Sequence, residues 1–449
     1  MATRSHSDLS DTTPLTAARP GIAAPATTRP VGVAAKVERL LGDLSPGLAA
    51  RPFTLRFWDG SQLLPTEDDG QPPLTIVIGR DALGHLLHRP DSLGLIRAWI
   101  TGAIDLEGDF EQALLLRNRY GGLTIDRRTK LRALGQAARI GGWRLLRRPA
   151  IPESEAKVGG GLHSLGRDRE AITFHYDVSN RFYEIQLGPS MVYSCAVFAD
   201  SDESLEAAQE RKLHRICQKL RLKEGERLLD IGCGWGSLLI HAAQHYGVQG
   251  VGVTISDAQA ELARERIRDA GLADRLEVRV ADYRTVDDGP YDKVVSVGMS
   301  EHVGSEQMGT YLAQLRQLVR PGGLVLNHAI GRLYSNAGGP DSFTSRYVFP
   351  DGELLRLGDL VARMEHAGLE VRDVESLREH YALTLRAWLK NMAAQRSEVI
   401  AAIGEQRERV WRAHHAGAAQ GFESGGITIH QVLMVRPDEA HELPPVRAL

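Results

Sequence analysis

The chain has 449 residues, 43% hydrophobic and 25% charged, which is typical of a soluble globular protein with room for two domains. Its net charge of −3 gives no support for nucleic acid as a partner. Its three separated cysteines (Cys195, Cys217 and Cys233) predict a reducing compartment and neither a disulfide framework nor a zinc site. No apolar run approaches the length of a membrane-spanning helix.

The N-terminal part predicts a tail followed by a small α+β domain. Residues 1–34 are rich in Ala, Thr, Pro and Arg without an apolar stretch, which favours a disordered tail over a secretory signal. Residues 35–115 predict a domain without a catalytic constellation. Its expected elements are a helix over Ala35–Leu41, strands over Phe53–Trp58 and Leu74–Ile78, and helices over Asp81–Leu87 and Leu93–Ile100.

Residues 116–164 predict a basic amphipathic linker. Between Arg127 and Arg148 there are eight basic residues and no acidic residue, interleaved with large apolar side chains. A solvated basic helix and a segment lying on anionic lipid both explain this pattern. Nucleic acid binding is a third alternative, but no recognition motif accompanies the charge.

A buried strand followed by a glycine turn begins the next domain. Leu228, Leu229 and Ile231 precede Gly232, Gly234 and Gly236, and a helix is expected from Ser237 to Tyr246. Glycines let the backbone approach a ligand closely, and the N-terminus of the following helix offers free N–H groups. The turn therefore indicates a nucleotide-like cofactor at the carboxyl end of a parallel sheet, although a purely structural turn stays possible.

The following strands favour S-adenosylmethionine (SAM) over NAD. An NAD site would place an acid at the end of the second strand, and that place holds Thr254. The third strand, Leu276–Tyr283, ends instead in Asp282 and Tyr283. Polar groups after strand two can bind the ribose of SAM, and an acid after strand three can bind its adenine amine.

The rest of the chain completes a Rossmann-like, seven-stranded α/β domain over residues 165–436, with a tail over 437–449. Its expected strands are Val251–Ile255, Leu276–Tyr283, Tyr291–Gly298, Leu324–Ile330, Val371–Leu377 and Ile427–Val435, and its later helices are Met308–Val319, Asp359–Ala367 and Tyr381–Ala402. Seven strands with a late hairpin are the usual layout of a SAM methyltransferase.

Eight motifs in order carry a family resemblance. They are His175–Tyr183, Met191–Phe198, Leu229–Gly236, Gly252–Ser256 with Gln259, Val297–Gly304, Leu326–Gly331, Arg346–Gly352 and Tyr381–Trp388. The chain resembles the cyclopropane-fatty-acyl-phospholipid synthases, above all the longer members with an N-terminal lipid-binding-like domain, which include the tuberculostearic-type fatty acid methyltransferases. The resemblance is dense over residues 165–436 and weaker over 35–115.

The resemblance implies transfer of a one-carbon unit from SAM to the cis double bond of an unsaturated phospholipid acyl chain, through a carbocation. It also implies a bound bicarbonate ion as the base. The site for this ion carries over to Cys195, Glu301, His328, Ile330 and Tyr381. Aromatic faces from Tyr176, Phe182 or Phe349 could stabilise the cation.

The same resemblance assigns the SAM site and leaves the product open. The expected SAM-binding residues are Tyr193, Ser194, Asp230, Gly232, Gly234, Gly236, Thr254, Ser256, Gln259, Asp282 and Tyr283. Ser300 and Asn327 depart from the family pattern beside Glu301 and His328. Either a cyclopropane ring or a methylene or methyl branch is therefore compatible with the sequence.

Two other functions remain as alternatives, a SAM methyltransferase for a small soluble acceptor and a non-catalytic lipid-binding protein that retains the fold. For the favoured function we expect a cytoplasmic protein at the inner face of the membrane. Its expected partner is the phospholipid bilayer surface, a homodimer is possible, and neither metal nor nucleic acid is expected.

Overall fold

The computed structural model describes residues 30–44, 50–89, 91–120, 135, 140, 142, 145, 147–157, 164–176, 178–333 and 342–445. Most of the predicted tail over 1–34, most of the basic segment Arg127–Arg148 and the last four residues therefore lie outside the described part. None of the helices in the described part is long and apolar enough to cross a membrane.

The N-terminal region contains a four-stranded sheet with helices packed on it. Its elements are α1 (Gly32–Leu44), β1 (Thr54–Phe57), β2 (Gln62–Leu63), β3 (Thr75–Ile78), α2 (Ala82–His88), α3 (Ser92–Ile100), β4 (Ile104–Glu107) and α4 (Phe110–Tyr120), with the strand order β2-β1-β3-β4. Helix α1 begins three residues before the predicted Ala35, because Asp59 Oδ2 and Ser61 Oγ accept hydrogen bonds from the amides of Val33 and Ala34. The sequence did not indicate β2, β4 or α4.

The second region begins with three helices and continues into a seven-stranded sheet. Its first half contains α5 (Leu165–Tyr176), α6 (Asn180–Leu187), α7 (Leu205–Lys219), β5 (Arg227–Ile231), α8 (Ser237–Tyr246), β6 (Gln249–Thr254), α9 (Asp257–Asp269), β7 (Leu276–Val280) and β8 (Tyr291–Val297). Its second half contains α10 (Gly304–Leu318), β9 (Val319–Arg332), α11 (Phe343–Tyr347), α12 (Leu357–His366), β10 (Glu370–Ser376), α13 (Arg378–Ala394), α14 (Arg396–Ile403), α15 (Glu405–Glu423) and β11 (Ile427–Val435).

The large sheet confirms the predicted seven-stranded layout. Its order is β10-β11-β9-β8-β5-β6-β7, and β11 runs antiparallel to both of its neighbours. The chain proceeds outward from β5 through β6 to β7 and then returns to place β8 on the other side of β5. This reversal opens a crevice at the carboxyl ends of β5 and β8, which is where open α/β sheets bind ligands.

Two features differ from the expected helices. The single helix predicted over Tyr381–Ala402 is two helices, α13 and α14, which meet at Gln395, where the backbone leaves helical geometry (φ −122°, ψ 34°). The nineteen-residue helix α15 was not predicted. This helix joins the two regions, since Trp99 Nε1 donates to the carbonyl of Arg409 (3.2 Å) and Val410 packs with Leu93 and Ile100.

Candidate active site

The glycine turn after β5 forms the floor of a cleft. Gly232, Gly234 and Gly236 all have positive φ values, of 81°, 54° and 78°. A Cβ on Gly232 would lie 3.2 Å from Met299 Cγ, whereas a Cβ on Gly234 would have no heavy atom within 4 Å. Gly232 is thus required by packing as well as by conformation, and Gly234 leaves open space beside the turn.

The cleft, together with the open solvent at its mouth, has a volume of about 1190 Å³. Nine of the predicted SAM-binding residues line it, namely Tyr193, Ser194, Asp230, Gly232, Gly234, Thr254, Gln259, Asp282 and Tyr283. Two others do not. Gly236 faces α9, where its Cβ would contact Ala263 (3.4 Å), and Ser256 is the buried cap of α9, accepting from the amide of Gln259 (3.1 Å).

The groups at the ends of β6 and β7 fit the nucleoside part of SAM. Thr254 donates its hydroxyl proton to Gln259 Oε1 (2.8 Å), which leaves the Gln259 amide N–H groups available to a ribose hydroxyl. Asp282 accepts two hydrogen bonds from the Arg284 guanidinium, at 2.8 and 2.7 Å. Arg284 also reaches Asp168 (2.9 Å), so the predicted adenine acceptor is held in place by an ion pair.

A buried ammonium beside the turn was missed by the sequence analysis. Lys212 on α7 is 2% exposed, lines the cleft and donates to Ser194 Oγ (2.8 Å). Burial lowers the pKa of Lys212 to about 8 and raises that of Asp230 to about 7. The available signal was spacing, since Lys212 lies four residues from both Ala208 and Ile216 on the apolar face of its helix.

Glu301 lies in a second, adjoining cluster that does not line the cleft. Its Oε1 accepts a hydrogen bond from the backbone amide of Ile330 (2.7 Å), and its Oε2 is buried without a partner in the described part of the chain. Burial raises the pKa of Glu301 to about 7. A carboxylate in this state can gain or lose a proton near neutral pH.

Tyr381 lies within electrostatic range of both Cys195 and Glu301. Burial raises the pKa of both Cys195 and Tyr381. At Tyr381, the negative charges of Cys195 and Glu301 raise the pKa further. The Cys195 thiol faces the carbonyl of Leu377 (3.6 Å). Both side chains are therefore neutral, and Tyr381 can donate its hydroxyl proton but not act as a base at ordinary pH.

His328 is two residues before Ile330 on the same face of β9 and is 1% exposed. Gln431 Nε2 donates to its Nδ1 (3.2 Å), and burial holds its pKa well below the usual value. The neutral ring then carries its proton on Nε2, which has no partner among the described residues. His328 thus offers one unused donor.

The rings of Tyr176, His175 and Phe349 form an aromatic wall beside the cleft and the Glu301 cluster. Tyr176 lines the cleft, and the charge of Glu301 adds to the effect of burial in raising its pKa. The ring of His175 lies 4.6 Å from that of Tyr176 and 4.1 Å from that of Phe349. Phe182, in contrast, is fully buried against Tyr183 and does not line the cleft.

His302, to which the sequence analysis gave no role, also belongs to the aromatic wall. It lines the cleft, and its ring lies 5.5 Å from Phe349. Burial lowers the pKa of His302 to about 4, so the ring is neutral. Across the described ranges, no group of three or more His, Cys, Asp or Glu side chains is arranged to hold a metal ion.

Comparisons with known proteins agree on the family. The family described as mycolic acid cyclopropane synthetase matches residues 163–432. A probable fatty acid methyltransferase of Pseudomonas putida is 40% identical over 421 residues, covering 91% of this chain and 99% of that protein. The cyclopropane-fatty-acyl-phospholipid synthase of Escherichia coli K12 is 37% identical, covering 58% of this chain and 66% of the synthase.

Two further similarities are to a relative from Mycobacterium tuberculosis and to a solved structure. Tuberculostearic acid methyltransferase UfaA1 is 38% identical, covering 61% of this chain and 66% of that protein. The structure of mycolic acid cyclopropane synthase CmaA1 complexed with SAH and CTAB superposes with a TM-score of 0.57 and 29% identity, covering 60% of this chain and 98% of the synthase. The chain belongs to the mycolic acid cyclopropane synthetase family of SAM-dependent lipid methyltransferases.

Proposed function

We propose that the protein adds a one-carbon unit from SAM to the cis double bond of an unsaturated phospholipid acyl chain and closes it into a cyclopropane ring. The observation that carries this proposal is the buried Glu301 carboxylate, whose Oε2 has no partner in the described part of the chain. Its charge acts on Tyr176, the ring of the aromatic wall that lines the SAM cleft. An alkene acceptor requires a base, because a proton must be removed after methyl transfer, and Glu301 would hold that base.

The reaction would proceed by two bond exchanges. The alkene π electrons form a bond to the SAM methyl carbon while the bond from that carbon to sulfur breaks, which releases S-adenosylhomocysteine (SAH) and leaves a carbocation on the acyl chain. A base then removes a proton from the new methyl group. The electron pair of the broken C–H bond forms a bond to the cationic carbon and closes the ring. Tyr176 lines the cleft and would offer a ring face to the cation, and His175 packs between the rings of Tyr176 and Phe349. The buried surroundings would exclude water that quenches the cation.

The Glu301 cluster fits a bicarbonate ion. Glu301 Oε2 and His328 Nε2 are both buried without partners in the described residues, and Tyr381 supplies a neutral hydroxyl. A bound bicarbonate would supply the base that takes the methyl proton. Glu301 would then hold the bicarbonate hydroxyl, and His328 and Tyr381 would donate to its oxygens. The Ile330 amide is engaged by Glu301 and would serve by fixing that carboxylate.

A branched chain is the second candidate product. In that ending a hydride shifts before a different proton leaves, which gives a methylene branch that a separate reductase can convert to a methyl branch. Its support is the similarity to the tuberculostearic acid methyltransferase, which matches that to the cyclopropane synthase in extent and identity.

We further propose that the substrate is taken from a bilayer at the cytoplasmic face, with the basic linker as the contact. Neutralising Arg144, Arg147 and Arg148 should weaken sedimentation with anionic liposomes, most strongly at low salt. Equal sedimentation of the variant and the unaltered protein would reject this role. Arg144 lies outside the described residues, so the expectation rests on the charge of the sequence.

We also propose that the protein forms a homodimer, which sedimentation equilibrium would test.

The decisive experiment for the acceptor uses purified protein, SAM and two substrates. Liposomes of a cis-monounsaturated phospholipid should gain one carbon per modified chain, as measured by mass spectrometry of the released fatty acids. Soluble amines and phenols should gain none. Methylation of a soluble acceptor with unmodified liposomes would replace the proposal by the small-molecule alternative.

A further inference from the structure

The buried Lys212 ammonium has no assigned task in the reaction described above. Its side chain is nine-tenths or more buried on α7, yet it lines the cleft. It donates a hydrogen bond to Ser194 Oγ (2.8 Å), and the negative charge of the Asp230 carboxylate acts on it electrostatically. A buried cation is costly unless a negative charge compensates it. Burial raises the pKa of Asp230 to about 7, so this carboxylate compensates Lys212 only in part, and the ammonium can still bind an anionic group of a ligand in the cleft.

Few positive charges in the described residues are available to such a group. The cleft is lined by two basic side chains of Lys or Arg type, Lys212 and Arg284. Arg284 is already paired with Asp282 and Asp168. Among the described residues that line the cleft, Lys212 is therefore the basic side chain available to bind an anionic group. It lies next to the glycine turn, away from Asp282.

The surroundings of Lys212 match an amino acid zwitterion. Because Ser194 Oγ accepts from the ammonium, its own hydroxyl proton is free to point into the cleft, which Ser194 also lines. Asp230 lines the same part of the cleft, and its buried Oδ1 lacks a partner among the described residues. This part of the cleft thus offers two donors for a carboxylate and, beside them, an acceptor for an ammonium group.

We propose that Lys212, acting with Ser194, binds the carboxylate of the methionine part of SAM and makes the enzyme selective for carboxylated over decarboxylated cofactor. The ammonium supplies the charge and the serine hydroxyl a second donor. Asp230 faces the amine and would leave binding of a decarboxylated ligand largely intact. This inference concerns cofactor binding and is independent of the acyl-chain product.

The test is calorimetric titration of the full chain with two ligands, SAH and its decarboxylated analogue, which lacks the carboxylate alone. The unaltered protein should bind SAH about 10- to 100-fold more tightly, as expected for charge-assisted hydrogen bonds. Lys212→Met should remove most of that preference by weakening SAH binding, while binding of the analogue changes less than about 3-fold. Lys223→Met, which removes an exposed ammonium outside the cleft, should leave both affinities unchanged.

Each outcome decides the proposal. Equal weakening of both ligands by Lys212→Met would show a structural role for the lysine and overturn it. Equal binding of the two ligands by the unaltered protein would also overturn it, without any variant. If Lys212→Met does not fold, Ser194→Ala provides the second comparison: a smaller preference for SAH supports the proposal, and an unchanged preference contradicts it.

Discussion

Glu301 Oε1 accepts a 2.7 Å hydrogen bond from the backbone amide of Ile330, and this contact fixes the carboxylate of one strand end against the neighbouring strand. The carboxylate follows β8 and the amide belongs to β9, which pairs in parallel with β8. The contact leaves Oε2 unpaired in the described structure. The Ile330 amide therefore orients Oε1, and Oε2 is available to bind a reacting group.

Replacing Glu301 by Gln should abolish turnover with little change in SAH affinity. Glutamine keeps an acceptor for the Ile330 amide but removes the negative charge, and the cluster lies outside the cleft lining. Product formation and calorimetric SAH binding measure the two effects separately. A variant with a normal rate would remove Glu301 from the mechanism, and a large loss of SAH affinity would show that its role is structural.

The same substitution should change the pH dependence of stability. Burial raises the pKa of Glu301 from 4.5 to about 7, so the folded state holds a proton that the unfolded state has released between these pH values. Its contribution to stability is present below about 4.5 and is lost as the pH rises to about 7 and beyond. Relative to the unaltered protein, Glu301→Gln should gain up to roughly 3 kcal/mol between pH 4.5 and 8, measured by denaturant unfolding. A pH-independent difference would contradict the raised pKa.

Two glycines of the same turn should respond differently to alanine. Both have positive φ, so each substitution should cost about 1–2 kcal/mol of stability. Gly234→Ala should also lower SAH affinity by roughly tenfold or more, because Gly234 lines the cleft, whereas Gly236→Ala should change it less than about 3-fold. Equal SAH affinities for the two variants would show that the placement of Gly234 has no bearing on the cofactor.

A buried ion pair should make the link between the two regions sensitive to Glu155. Arg97 of α3 donates to both Glu155 oxygens (2.9 and 2.8 Å), and the Tyr347 hydroxyl donates to Oε2 (2.7 Å). Burial alone would raise the pKa of Glu155, but these hydrogen bonds hold it below the usual value. Glu155→Gln should therefore destabilise the protein by about 2–3 kcal/mol at pH 7, and the difference should shrink as the pH falls below 4.5.

The matched control is Glu398→Gln. It removes an ion pair with Arg181 in which both side chains are more than half exposed, and exposed pairs contribute less than about 1 kcal/mol. Thermal unfolding of the two variants gives the comparison. Similar shifts in both would mean that the Glu155 pair does not stabilise the contact between the regions.

The sequence was sufficient for the strands, because their signals are local. Arg227–Ile231 and Ile427–Val435 have apolar patterns bounded by turn residues, and both occur as strands close to or at the predicted ends. Helix α15 was missed because its buried face is built from residues such as His415, Ala416 and Ala419, which carry a weak periodic signal. It gains its stability from packing against α13 and the N-terminal helices.

From the sequence, the site could be predicted only where its residues belong to recognisable motifs. Asp230, Thr254 and Asp282 were found because parallel strands end at a common edge, and all three line the cleft. Ser256 was expected at the ribose, but a serine before a helix is equally suited to cap it, and the cap is what the structure has. Lys212 was missed because a lysine on a helix is normally solvated, and its burial depends on α7 packing beside the glycine turn.

The most direct test of the central claim is mass spectrometry of fatty acids from cells that are fed oleate and express the protein, with fragmentation that locates the added carbon. We expect an acyl chain of unchanged length that is heavier by one CH2 unit, with the extra carbon bridging the two carbons of the former double bond. A methylene or methyl branch at that position would retain methyl transfer but contradict ring closure. No added carbon, with SAH binding intact in the purified protein, would contradict the proposed function as a whole.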